Sequence, residues 1–331
     1  MAQEMTVITQ YSAVNAEAWQ QLLDVSPVAT WFQTEEAYRF FASLPEMMTP
    51  FVFAVENEGV LRGLVAGYVT KDTHPIKQFF TRRAIVYGGP LLADDITDEQ
   101  LTALLHAVSA ALKKQAIYIE TRNFCEYSRW RDVFAKCGWE YKPHYDIHVD
   151  CTDKDAMLNR LSKSKRQQIR KAQTEGIEVM EATELEEIQA FYVLLQQLYR
   201  RKVHRPLFSL DFFTTFVRQN KGVLLLVKQQ GRIIGGTLCA VLQPKGVMYE
   251  WYAVGPAIVT WATMEYAYAK GIAMLDLMGA GEPGVPYGVR DFKMEFGGEL
   301  REYGRYLYCA NSCLYKIGKF VVECPLFNKR R

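Results

Sequence analysis

Val55-Glu-Asn-Glu-Gly59-Val-Leu-Arg-Gly63 and Val227-Lys-Gln-Gln-Gly231-Arg-Ile-Ile-Gly235 align residue for residue. In both, an apolar run ends on a short polar stretch with a glycine, and a second apolar run begins. That is the pattern of a β-hairpin. The predicted strands are Phe51–Val55 with Val60–Val69, and Val223–Val227 with Ile233–Leu242. Outward from each hairpin the order repeats. A third strand follows (Ala84–Tyr87; Val247–Ala253), then a helix (Asp98–Gln115; Thr260–Lys270), then a short strand (Ala116–Glu120; Met274–Leu277). Two copies of one mixed α/β unit account for this order. The expected domains are residues 1–150 and residues 151–331, the second holding the active cleft.

The chain has 331 residues, enough for two domains of ordinary size. Its 49% hydrophobic and 23% charged residues are globular values. A formal charge of +2 gives no global attraction to nucleic acid, so DNA is not an expected partner. The seven cysteines are odd in number and unpatterned, and no secretory signal stands at the N-terminus, so free thiols in a reducing cytoplasm are expected. No stretch reaches the ~20 apolar residues of a membrane span.

The remaining elements follow from local signals. Residues 13–24 read as a helix burying Trp19, Leu22 and Leu23, and Thr34 caps a helix over Glu35–Ala42. Pro45 and Pro50 bracket a linker. Trp130–Cys137 is a short helix, and a strand lies around Ile147–Val149. Asp153–Thr174 is one helix or two, Ile177–Met180 a strand, and Glu184–Lys202 and Leu210–Arg218 are helices.

The stretch Ala273–Gly298 carries the chemistry. An apolar strand with one carboxylate, Asp276, runs into Gly279 and a loop through Pro283, Gly284, Pro286 and Tyr287. Gly288-Val-Arg-Asp-Phe-Lys-Met-Glu-Phe-Gly-Gly298 follows. The expected form of this last part is a turn and an alternating segment, with Phe292 and Phe296 buried and Arg290, Lys293 and Glu295 accessible. Asp276-Leu-Met-Gly279 followed by Phe292-Lys-Met-Glu-Phe-Gly297 resembles the Fem family of peptidoglycan aminoacyltransferases and its acyltransferase relatives. Ser26-Pro27, Phe32-Gln-Thr34 and Arg166–Gly176 resemble the family's other landmarks. The resemblance implies two tandem GNAT-like domains. It also implies a substrate channel in which Lys293 holds a phosphate or stabilises developing negative charge.

Acyl transfer to an amine needs a bound donor, a base for the amine and stabilisation of the oxyanion. Lys293 and Asp276 are the candidate catalytic residues. A solvated strand lysine and a carboxylate that only braces the glycine loop are the structural alternatives. Glu250 and Tyr252 alternate with Trp251, share a strand face, and are candidate substrate-binding residues with Tyr287 and Arg290. Arg290 and Asp291 could instead pair with each other. Lys163, Arg166 and Arg170 share one helical face, broadened by Lys165 and Lys171, so Arg166 and Arg170 are candidate phosphate ligands. A loop cluster from Arg200 to Arg205 has the same standing, and a solvated basic face explains either equally well. Cys239 and Cys309 read as core thiols. His144 and His148 lack a metal-binding pattern, so no metal is expected. The basic, apolar segment Lys316–Arg331 could touch an anionic membrane or be a last helix and tail.

Coenzyme-A-dependent relatives open a helix with a glycine-rich pyrophosphate turn. Gly255-Pro-Ala-Ile-Val-Thr-Trp261 lacks it, as the chain lacks the sustained heptads of a helical arm. The expected activity is transfer of an aminoacyl or other acyl group to an amine of a cell-wall precursor. No cofactor is tightly bound, and the co-substrate is aminoacyl-tRNA or acyl-CoA. Two alternatives stay open: an acyl-CoA-dependent enzyme acting on a small amine or amino sugar, and a non-catalytic binding protein.

Overall fold

A computed structural model describes residues 5–71, 75–203 and 206–323. The chain divides into two compact units, Met1–Pro143 with Tyr303–Arg331, and His144–Glu302. Each is built on a mixed sheet.

The first unit opens with β1 (Met5–Ile8), α1 (Ala16–Val25) and α2 (Glu35–Ala42). Asn15 and Thr34 cap these helices through their side chains, accepting from Ala18 N and Ala37 N. The hairpin β2 (Met48–Asn57) and β3 (Val60–Thr70) leads to α3 (Pro75–Thr81), β4 (Ala84–Gly88) and β5 (Leu91–Leu92). Pro50, expected in a linker, lies inside β2 opposite Tyr68. Next come α4 (Asp98–Leu112), β6 (Tyr118–Asn123), α5 (Arg131–Lys136) and β7 (Trp139–Lys142). α4 buries Leu101, Leu104, Leu105, Val108 and Leu112, the stripe its 3.6-residue periodicity requires. The Phe32-Gln-Thr34 landmark is structural. Gln33 Nε2 donates to the carbonyls of Gly88 and Gly89, and Gln33 Oε1 accepts from Thr30 N.

The second unit holds β8 (Tyr145–Asp150), α6 (Lys154–Arg160), α7 (Lys163–Thr174), β9 (Ile177–Glu181), α8 (Leu185–Leu198) and α9 (Leu210–Arg218). It continues through β10 (Gly222–Gln229), β11 (Arg232–Leu242), β12 (Val247–Val254), α10 (Ala257–Ala269), β13 (Met274–Asp276), α11 (Gly288–Met294) and β14 (Glu299–Glu302). The chain then returns to the first unit as β15 (Arg305–Cys309) and α12 (Ser312–Glu323).

The sheet orders are β1-β2-β3-β4-β6-β15-β7, with β5 beside β3, and β9-β10-β11-β12-β13-β8-β14. They correspond position by position. The hairpins match in detail. Val55 faces Gly63 and Val227 faces Gly235, and the register shifts at the next residue in both. Both turns are two residues at positive φ, Glu58-Gly59 (52°, 77°) and Gln230-Gly231 (50°, 73°). Such primed turns fit the strand twist.

The expected boundary at residue 150 is displaced. β8 belongs to the second sheet, between β13 and β14, and β15 belongs to the first, between β6 and β7. Each sheet is therefore completed by a strand that follows the other sheet's edge strand in sequence. Periodicity gives a strand's faces but not its partner, so this exchange is invisible to pattern reading.

Candidate active site

β12 and β13 run parallel and pair only at Val247–Tyr249 with Met274–Asp276. β12 continues to Val254, so the two strands part just after Tyr249 and Asp276. On the other side of β12 the register with β11 slips. Cys239 faces Glu250 and Leu238 faces Tyr252, leaving Trp251 as the extra residue of a β-bulge. This corrects the expectation that Glu250 and Tyr252 share a face. Leu238 and Cys239 are consecutive and point to opposite faces, and so do their partners. Tyr252 packs against Phe212 and Phe213 of α9, with ring centroids 5.9 and 5.1 Å away. Glu250 is turned to the other side.

Lys293 is also placed differently from expectation. The Phe-Lys-x-x-Phe motif starts on α11 and turns after Met294, so Phe292 and Phe296 meet edge-on with centroids 5.3 Å apart. Lys293 is half-buried rather than accessible. Its ammonium turns inward and donates to three successive carbonyls, Leu277 O at 2.5 Å, Met278 O at 3.3 Å and Gly279 O at 3.1 Å. All three of its N–H groups are thus engaged. Burial lowers its pKa, opposed by the charges of Glu250, Asp146 and Asp276.

Asp276 is fully buried at the end of β13. Its Oδ1 accepts from Met278 N at 2.6 Å, and its Oδ2 lies 3.5 Å from His148 Nε2. Met278 sits at φ 59°, a left-handed conformation that a residue with a Cβ adopts only at a cost. Asp276 from one side and Lys293 from the other hold this turn.

Glu250 is 7% exposed, and its Oε2 has no hydrogen-bond partner among the described residues. Burial pushes its carboxyl up, the Lys293 charge pulls it down, and Asp276 pushes it up again, leaving a pKa of about 7. A carboxylate at neutral balance, buried with an open acceptor, has the properties of a general base.

His148 and Asp146 complete the cluster; sequence reading weighed His148 only as a metal ligand and missed Asp146. The signal was present: on β8, Asp146 and His148 alternate with Ile147 and Val149, which are fully buried. Titratable groups on alternate positions of a buried strand mark the strand's other face as polar.

The other candidates stand apart. Arg290 donates to Glu282 O at 2.9 Å and Val285 O at 2.5 Å and lies over the Tyr145 ring, so it clamps the glycine loop rather than pairing with Asp291. Tyr287 is 39% exposed and covers Gly281, where a Cβ would meet its ring at 2.8 Å. Lys165 leaves the basic face altogether. It is buried, bridges Glu295 at 2.9 Å and sits 4.2 Å from the Phe292 ring centroid. Arg166 donates to Leu161 O at 3.2 Å, and Arg170 is exposed. The cluster Arg200–Lys202 forms a π-helical turn, Tyr199–Val203, instead of a loop, while His204 and Arg205 lie outside the described residues. Cys239 is a core thiol, but Cys309 is exposed at the end of β15. No group of three or more potential metal-ligating side chains occurs among the described residues.

Comparison with solved structures places this architecture. FemX superposes with a TM-score of 0.69 at 14% identity, over 95% of this chain and 99% of that one. A tandem GNAT protein from the clavulanic acid biosynthesis pathway gives 0.62 at 12%, over 93% and 99%. L-PGS from Bacillus licheniformis gives 0.57 at 15%, over 96% and 98%. The fold is that of the tandem GNAT acyltransferases. Residues 84–273 match the FemAB-like family model, described as peptidoglycan biosynthesis/recognition, and the chain belongs to that family. A search of curated proteins found no significant match.

Proposed function

We propose that the protein transfers an aminoacyl or other acyl group to an amine of a peptidoglycan precursor, in the second unit, where β12 and β13 part. The observation that carries this is Glu250. It is a buried carboxylate with an open oxygen and near-neutral proton affinity, in the charge field of Lys293, within a FemAB-like chain. Glu250 takes the proton from the attacking amine. Lys293 acts through its fixed positive charge, because its N–H groups already hold the backbone of the Leu277–Gly279 turn. Asp276 positions that turn through Met278 N. Tyr287 lines the approach, Tyr252 only packs the opposite face against α9, and Arg166 and Arg170 meet the phosphates of the precursor or donor.

Aminoacyl-tRNA is the preferred donor. α10 begins without a glycine-rich turn and without a side-chain cap at Pro256. Free thiols at six cysteines among the described residues support a cytoplasmic site of action. No described helix is long and apolar enough to cross a membrane.

The test is thermal stabilisation by a nucleotide-linked muramyl peptide, charged tRNA or acetyl-coenzyme A, followed by an acyl-transfer assay with Glu250→Gln. A ligand at 100 times its Kd stabilises the fold by about 2.7 kcal/mol. Stabilisation by the muramyl peptide or tRNA, with transfer lost in E250Q, is the expected result. Stabilisation by acetyl-coenzyme A alone would replace the donor. Full transfer by E250Q would remove Glu250 as base.

A further inference from the structure

Two segments distant in sequence meet in the first unit, and neither takes part in the chemistry above. Ile117, the residue before β6, anchors both. Its N–H donates to Arg82 O just after α3, and its carbonyl accepts from Ala310 N and Asn311 N just before α12, each at 3.0 Å. α3 and α12 pack together. α3 is fastened by Gln78, whose Nε2 donates to Thr70 O at 3.2 Å, and by Arg83 N, which donates to Thr70 Oγ1 at 3.1 Å. α12 is fastened by Tyr315, whose ring meets that of Tyr118 edge-on at 5.3 Å.

What these anchors leave outside is unusual for a surface. Phe79 and Phe80 are consecutive, 46% and 44% exposed, and their rings pack against each other at 5.1 Å. Ile317 is 43% exposed. Cations accompany them: Arg82 lies over the Phe79 ring at 5.1 Å, and Lys316 is exposed beside Ile317. The described residues 78–83 and 310–317 hold three Lys or Arg and no acid.

We propose that the α3–α12 face docks the protein on an anionic lipid surface. Paired exposed aromatics insert at the headgroup level, and the flanking cations meet the lipid phosphates. A polyanion such as RNA would satisfy the cations and could stack bases on the phenylalanines, but leaves Ile317 without an apolar partner. The inference is independent of the chemistry in the second unit.

The experiment is flotation of the full chain with vesicles of phosphatidylglycerol and phosphatidylcholine, against phosphatidylcholine alone. The expected result is binding to the anionic vesicles only. Phe79→Ser with Phe80→Ser should lower the partition coefficient about tenfold or more. Lys316→Ala should lower it about fivefold, and added salt should lower it further. Unchanged melting temperatures would show that both variants fold. Equal partition of variants and wild type would overturn the proposal. So would RNA binding that these variants weaken in the absence of vesicle binding, or a change in oligomeric state on mutating the two phenylalanines.

Discussion

Replacing Glu250 by Gln should make the protein more stable, and more so at higher pH. The ordinary value for this carboxyl is 4.5, and in the fold it stands at about 7. At about 1.4 kcal/mol for each tenfold change in proton affinity, the difference is about 3 kcal/mol. The sign follows from linkage. A carboxyl raised in the folded state contributes its full stability below 4.5, and that contribution is lost as pH rises through about 7. Above pH 8 the wild type carries an ionised carboxylate in a dry site, whereas Gln carries no charge. Urea unfolding at pH 5 and pH 8 measures this directly. E250Q should gain on the wild type by about 2.5 kcal/mol between the two conditions. The wild-type pH profile of kcat/KM should show an acid limb near pH 7, which any residual activity of E250Q should lack. An E250Q variant whose advantage over the wild type is the same at pH 5 and pH 8 would refute the reasoning, because Glu250 would then titrate as an ordinary surface carboxyl.

Lys293→Met should lose about 2–4 kcal/mol of stability, because three buried carbonyls at the Met278 turn lose their donor. Lys293→Arg should not rescue it, since a planar guanidinium cannot converge on three carbonyls as an ammonium does, and chemical unfolding of both variants measures this. Gly297→Ala should cost about 2 kcal/mol or more in the same assay. Gly297 sits at φ 77°, and a Cβ there would lie 2.4 Å from the Arg160 Cβ. In the first unit, burial would raise the Glu120 carboxyl, but Arg122 and Arg305 outweigh it and hold it at about 2. That stability is present above pH 4.5 and is lost as pH falls toward 2. Arg305→Met should therefore destabilise strongly at pH 7 and little at pH 2.5, read from melting temperatures at the two values.

The tandem architecture was legible in the sequence because the hairpin carries its own geometry. Val55-to-Gly63 and Val227-to-Gly235 specify strand, primed turn and bulge locally, and each unit builds on them. Helix caps at Thr34 and the stripe of α4 were legible for the same reason. The helix at α11 was not. Phe292 and Phe296 are four apart, a spacing that satisfies both the two-residue period of a strand and the 3.6-residue period of a helix. The wrong choice put Lys293 in solvent. The split of Glu250 from Tyr252 was hidden because a bulge is a property of a strand pair, and one strand's sequence does not announce it. His148 was visible as a histidine but not as the neighbour of Asp276, since β8 joins its sheet from across the chain order.

That crossing of chain order sets a timetable for synthesis. β6 ends at Asn123, but its antiparallel neighbour begins at Arg305. At about 5–20 residues per second, a ribosome takes roughly 10–40 s to supply that neighbour. For all of that time one side of β6 is an open row of backbone donors and acceptors, and the second sheet is being made meanwhile. The nascent chain is thus most prone to mispairing through its middle third, and a truncation before Arg305 leaves that vulnerability permanent.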